Sequence, residues 1–314
     1  MISGLPFDDI RQLAANLSGA DEDARAEAAA VNRKAAERDG PAGKAGEIAE
    51  WLAAWSGRRP GALKPQIAIF AATHALSARM APDAESVQAF VDRCGAGGAA
   101  VNQLCAAGDY GLKVFDLALD IPVEDFTREA ALDERGCAAT MAFGMEALAG
   151  ASGLVVLAGH GGSAGQHSAL SVLGALRLLS AARESELVRE ALACHAGHLS
   201  DPLEAMRRLG GREIAALAGA ILAARTQRVP VLLDGVAALA AAAVLHALNA
   251  EAVSHCMLAD GANTAGEAAA ALGLKSVMDL GMGNTDASAG AIAVGVVQSA
   301  AYCHAAAGRA LQPG

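Results

Sequence analysis

Short apolar runs recur along this 314-residue chain, each ending in a small or polar turn and most leading into an alanine-rich segment of helical length. They read "KPQIAIFAAT" (64–73), "LKVFDLAL" (112–119), "GLVVLAG" (153–159), "VPVLLDG" (229–235), "AVSHCMLA" (252–259) and "KSVMDLG" (275–281). Runs that do not alternate apolar with polar belong to strands covered on both faces, as in a parallel sheet. Strands alternating with helices predict an α/β fold: a mostly parallel sheet with helices on both faces. The spacing predicts two helices over 20–57, broken at Gly40-Pro41-Ala42-Gly43, and further helices from Asp83, within 95–108, and from Thr127 as N-cap. Others are predicted from about Ser168, over 212–227, 236–248 and 264–272, and at the chain end. The first helices have no strand of their own. The chain therefore divides into N-terminal helices (1–60), an α/β core (61–295) and a C-terminal helix (296–314) that completes a small helical subdomain.

Composition narrows the core. Hydrophobic residues make up 54% but aromatics only 3%, so Ala, Leu, Val and Ile must fill the interior. Small side chains let helices and strands approach closely, which suits layered α/β packing. A net charge of −10 and a pI near 5.3 argue against nucleic acid or an anionic membrane surface as partner. Mean hydropathy is positive, yet the alanine run 236–250 contains His246 and Asn249 and is too short to span a bilayer. The first residues lack a basic head followed by an apolar stretch, so no secretory signal is expected. Six cysteines without a CxxC pair imply reduced, buried thiols and a cytoplasmic protein.

In parallel sheets ligands sit where strands end and helices begin. That singles out Thr73-His74, 159–167, Asp234-Gly235 and 281–286. The stretch "LAGHGGSAGQHS" (157–168) carries four glycines between 159 and 165, and exposed backbone amides at a helix start bind phosphate. It matches neither the P-loop nor the dinucleotide fingerprint, and a plain flexible turn fits it equally. In "DLGMGNTDASAGA" (279–291), Gly281 and Gly283 permit close approach and Asn284 and Thr285 offer polar contacts. Asp286 there is either a helix cap or a proton acceptor. Asp234 could meet a ribose hydroxyl or cap the next helix. His74 and His255 lie near strand ends, where a histidine is usually structural; His160 and His167 flank the glycine-rich turn. The Cys-His pairs at 194–195, 255–256 and 303–304 have side chains that diverge and no second pair at zinc spacing, so no metal is expected.

The blocks "GEIAEWLAAWSGRRP", "AIFAATHALS", "GAGGAAVNQL", "GCAATMAFGMEALAG", "SDPLEAMRRLGGREIAALAGAILAARTQRVPVLLDG", "SHC" and "DLGM" occur in order between about residues 25 and 304. In this the chain resembles the nicotinate-nucleotide–dimethylbenzimidazole phosphoribosyltransferases, which make the lower-ligand nucleotide of cobamides. The resemblance implies a Rossmann-like domain, a small helical domain from the chain ends and a homodimer. It implies a nucleotide and an azole base as substrates, and no cofactor. The donor's pyridinium is already a cationic leaving group. A carboxylate must take the azole proton, which is worth about 10²–10⁴ in rate, while backbone amides grip the phosphate.

Carried onto this chain, the family's general-base Glu falls on Asp286, one methylene shorter, and a second Glu falls on His160. Phosphate and substrate contacts fall on Gly159, Gly161, Gly162, Ser163, Gly165, Gly281, Gly283, Asn284 and Thr285, and on Asp234, His74, Gly97, Gly98 and Asn102. The family's "GDHG" keeps only its histidine, as His74. Its lysine after the phosphate loop and its "SAE" after "SHC" have no counterpart. These changes leave a second expectation open: a relative that binds nucleotide or base without turnover, or that pairs with an active enzyme.

Overall fold

A computed structural model describes residues 6–151, 153–180, 184–261, 266–282 and 286–311. Among them the apolar runs form one six-stranded sheet. Its strands are β1 (Pro65–Ala71), β2 (Gly111–Asp116), β3 (Leu154–His160), β4 (Val231–Asp234), β5 (Cys256–Asp260) and β6 (Ser276–Met278). The order is β2-β1-β3-β4-β5-β6, and every neighbouring pair is parallel. β3 is buried from Leu154 to Gly159 and β4 throughout, which explains their unbroken apolar runs. β2 lies at an edge, and its residues alternate between exposed and half-buried over most of its length.

The helices are α1 (Pro6–Ala15), α2 (Glu22–Asp39), α3 (Lys44–Ser56), α4 (Val87–Gly95), α5 (Ala100–Gly108), α6 (Glu134–Ala147), α7 (Gly162–Ala175), α8 (Glu186–His195), α9 (Pro202–Leu209), α10 (Arg212–Thr226), α11 (Gly235–Leu248), α12 (Gly266–Ala271) and α13 (Ser288–Ala310). Successive strand side chains point to opposite faces and feed two cores. Val155, Leu157 and Leu233 pack with α6, α7, α10 and α11, whereas Leu154, Val156 and Leu232 pack with α3, α4, α5 and α13. The predicted close approach is present. A methyl group at Gly144 of α6 would lie 1.9 Å from the Ala216 carbonyl oxygen of α10, and one at Gly219 would lie 1.9 Å from that of Met141. These two helices touch backbone to backbone.

The structure corrects several sequence expectations. Thr127 caps no helix. The amides of Ala131 and Leu132 donate to the carbonyls of Arg208 and Arg207 and cannot serve a helix, so α6 starts at Glu134, with Asp133 accepting from Gly136 N at 2.6 Å. The helix expected from Asp83 starts at Val87 behind the N-cap Ser86. The one expected from Ser168 starts at Gly162, so most of the glycine-rich turn is the first turns of α7. α1 lies within the segment assigned to the small subdomain, but it packs on α6 and α11 across the sheet from α2 and α3. α13 crosses the expected boundary at 295 without a break and packs against α2, α3, α5 and several strands. By length and composition it could span a membrane, which the alanine run 236–250 could not.

Candidate functional site

The chain passes from β1 to β2 and then returns past β1 to β3, so the topological switch lies between the carboxyl ends of β1 and β3. Ala71 pairs with His160 and Ala158 with Asp234, which brings the exits of β1, β3 and β4 side by side. Beyond β1, Thr73 Oγ1 donates to the Leu119 carbonyl at 2.9 Å. His74 does not line an open surface. Its side chain is 0% exposed, and Nε2 donates at 2.9 Å to Glu213 Oε1 in the first turn of α10.

At the β3 exit the half-buried His160 ring stacks on Phe90 of α4, with centroids 3.9 Å apart and planes 23° apart. The Arg93 guanidinium lies 5.6 Å from the centre of the same Phe90 ring and pairs with Glu85. The hydrogen bond from Arg93 is the main cause holding the Glu85 carboxyl below its usual range, and His160 acts in the same direction. Gly162 opens α7 with φ +61°, a backbone conformation that favours glycine.

The amide at this helix start is already occupied. Asp83 Oδ2 accepts from Ser163 N at 3.0 Å, and Asp83 Oδ1 accepts from the Ser163 hydroxyl. His167 Nδ1 donates back to the Ser163 carbonyl at 2.9 Å. Between Gly159, Gly161, Gly162, Gly165 and Gln166 on one side and Val236 and Ala237 on the other lies a crevice of about 10 Å³. That is the room of one water molecule.

Three carboxylates gather at the exits of β4, β5 and β6. Asp234 does not cap α11; it reaches across the sheet end to accept from Gly290 N of α13 at 2.7 Å. Burial pushes its carboxyl up to about 7, the Gly290 hydrogen bond opposes this, and the charges of Asp286 and Asp260 add to it. Asp260 accepts from Leu280 N at 3.1 Å and Met282 N at 2.7 Å, pinning the segment that follows β6. Gly281 there has φ +70°. Gly283, Asn284 and Thr285 lie outside the described residues. Asp286 is half-buried, and its Oδ1 accepts from Ser288 N at 3.0 Å. The α13 N-cap is the next residue, Ala287, with φ +65°. The Glu85 hydrogen bond chiefly raises Arg93 and burial chiefly raises the Cys94 thiol of α4, and the charge of Asp286 adds to both.

Gly97, with φ +78°, and Gly98 form the α4–α5 turn. Asn102 is anchored to that turn by its side-chain amide: Oδ1 accepts from Ala99 N and Nδ2 donates to the Cys94 carbonyl, both at 3.0 Å. It therefore supports the backbone of the α4–α5 turn. His255 is fully buried at the opposite end of the sheet, just before β5, with its proton affinity driven down to about 3 by burial first and by Arg225 second. His195 donates to the Phe126 carbonyl and His304 bonds Asn32, so these histidines are structural.

The predicted exits thus converge, with His160, Asp234 and Asp286 around adjoining strand ends. Asp83, Glu213, Asp260, Phe90 and Arg93 are neighbours of these candidate residues that sequence reasoning missed. Asp260 carried a usable signal, being an acid that ends a strand in the way Asp234 does. The others are joined to the site only by the folding of distant segments.

Comparison with known proteins adds the decisive finding. The family model described as "Phosphoribosyltransferase" matches residues 17–183 and 177–310. The chain belongs to this family. Two similar proteins are the nicotinate-nucleotide–dimethylbenzimidazole phosphoribosyltransferases of Agrobacterium fabrum and Rhizobium johnstonii. Each is 47% identical, over 96% of this chain and 93% and 95% of the respective relative. The crystal structure of the protein of that name from Thermus thermophilus superposes with a TM-score of 0.78 at 22% identity, covering 90% of this chain and 95% of that one. That likeness establishes the shared Rossmann-like α/β fold.

Proposed function

We propose that this protein is a phosphoribosyltransferase that moves phosphoribose from nicotinate mononucleotide to a nitrogen of a benzimidazole-type base. The observation that carries the reading is the match of relatives with that activity along 96% of the chain. The strand-end geometry supports it. Asp286 is the proton acceptor for the attacking azole nitrogen. Its tie to Ser288 N uses one oxygen and fixes the carboxyl's direction, as a base needs. His160, presented on Phe90, flanks the same edge, and Asp234 braces the start of α13 behind Asp286. Donor phosphate is held at the glycine-rich turn, together with 281–285, once Asp83 has swung off the amide of Ser163.

A homodimer in the cytoplasm completes the proposal. The six unpaired cysteines suit a reducing compartment, and size-exclusion chromatography with light scattering reads the dimer.

One observation favours a second reading, a relative that binds without turnover. The amide expected to meet phosphate already holds Asp83, and the crevice beside it is about 10 Å³. Incubation with nicotinate mononucleotide and 5,6-dimethylbenzimidazole decides between them. The riboside phosphate is the expected product. No product from a panel of azoles, beside a working control enzyme, overturns the transferase; calorimetric binding without turnover then establishes the second reading.

A further inference from the structure

Glu213 plays no part in the chemistry above, yet its side chain and that of His74 are both 0% exposed. Apart from the bond between them, Glu213 Oε2 and His74 Nδ1 have no hydrogen-bond partner among the described residues. A buried carboxylate with an unmet oxygen is costly, so its place needs a reason. The reason lies in what touches it. A methyl group at Gly211, just before α10, would come within 2.1 Å of Oε2, and one at Gly161 or Gly165 would come within 2.9 or 3.2 Å of Oε1. The same two methyl positions lie 3.0 and 3.4 Å from His74 Nε2. The carboxylate is wedged between the N-terminal ends of α7 and α10, where both helix dipoles favour negative charge. The first turn of α7 rests, backbone on side chain, upon the His74–Glu213 hydrogen bond.

We propose that His74 and Glu213 are a positioning pair that sets the height of the turn 161–165, and thereby where its amides meet the donor's phosphate. The assignment rests on the phosphoribosyl-transfer reading. Neither group touches substrate. When the carboxyl is truncated, the turn settles into the vacated space and its amides recede from the phosphate.

The test uses the full-length protein as Glu213→Ala, Glu213→Gln and Gly165→Ala, the last pressing on the pair from the α7 side. Hydrogen exchange read by mass spectrometry should speed up about tenfold in peptides covering 159–168 for the Ala variants, with 231–245 and 288–300 unchanged. Glu213→Gln, which keeps the acceptor for His74 Nε2, should return exchange to within about twofold of wild type. In turnover, the donor KM should rise about tenfold with kcat nearly constant. Unchanged exchange at 159–168 in folded variants overturns the proposal, as does equal acceleration in all three regions, which marks a merely structural pair. If the wild-type protein makes no riboside phosphate, the transfer reading fails alone and the exchange result still decides the pair. If Glu213→Ala does not fold, Gly165→Ala and Glu213→Gln carry the same comparison.

Discussion

Two glycine-bearing strand exits on the carboxyl edge of one parallel sheet are built in opposite ways. The turn after β3 is closely packed: Asp83 holds its amide, the His74–Glu213 pair lies under it, and Phe90 flanks His160. The loop after β6 is held at its flanks, by Asp260 before it and by Asp234 through Gly290 after it. Glycine is needed at Gly161 because a methyl group would strike Glu213 at 2.9 Å, whereas one at Gly281 would meet nothing within 4 Å among the described residues, and the requirement there is its φ of +70°. Both exits hold a glycine at positive φ, Gly162 and Gly281, but only the turn after β3 is also shaped by close packing. In the reading above, the packed exit holds an anion in place and the anchored loop supplies the proton acceptor.

The sharpest way to break this division of labour is Asp286→Asn. It keeps an acceptor for Ser288 N but cannot take a proton, so kcat should fall about 10²–10⁴-fold with an unchanged melting temperature. Wild-type turnover in this variant, with the loss found in His160→Ala instead, moves the chemistry to the packed exit. Asp234 sharpens the comparison through pH. Its carboxyl is raised to about 7 in the folded protein, so as pH rises the unfolded chain gives up this proton first. Its contribution to stability is present below about pH 4 and lost as pH climbs towards 7. Asp234→Asn should therefore gain on wild type between pH 4 and 8, by on the order of 2–4 kcal/mol, read from urea midpoints. A constant difference across that range contradicts the buried, proton-holding carboxyl.

Paired glycine substitutions come next. Gly161→Ala should cost about 1–3 kcal/mol through overpacking, and Gly281→Ala about 1 kcal/mol through its left-handed backbone. The reverse ranking by thermal unfolding would erase the contrast. Asp83→Asn has the smallest effect. Removing its charge from the α7 N-terminus should tighten binding of nicotinate mononucleotide about two- to fivefold by calorimetry. Weaker binding would mean that Asp83 supports the phosphate site.

The sheet was legible in the sequence because burial on two faces leaves a local mark: β3 and β4 are apolar runs in the expected places, β3 at the expected seven residues and β4 at four of the seven expected. The strand ends were legible for the same reason: Asp234 stands at the exit of β4 beside that of β3, and Asp286 lies close enough to act on its charge. The state of those side chains was not legible. α7 starts six residues before the expected Ser168 because its first turn is capped by Asp83, 80 residues upstream of Ser163. His74 turned inward because its partner lies 139 residues away. The helix expected from Thr127 is lost because Ala131 and Leu132 donate their amides to the carbonyls of Arg208 and Arg207.

Residue order by itself determined the alternation of strands and helices, the parallel sheet and which residues stand at its carboxyl edge, since hydrophobic periodicity acts over a few neighbouring positions. Only the tertiary structure decided which of those edge residues remain available to a substrate. A polar group is satisfied by whatever partner the folded chain brings within about 3 Å, and that partner is set by chain closure over long separations.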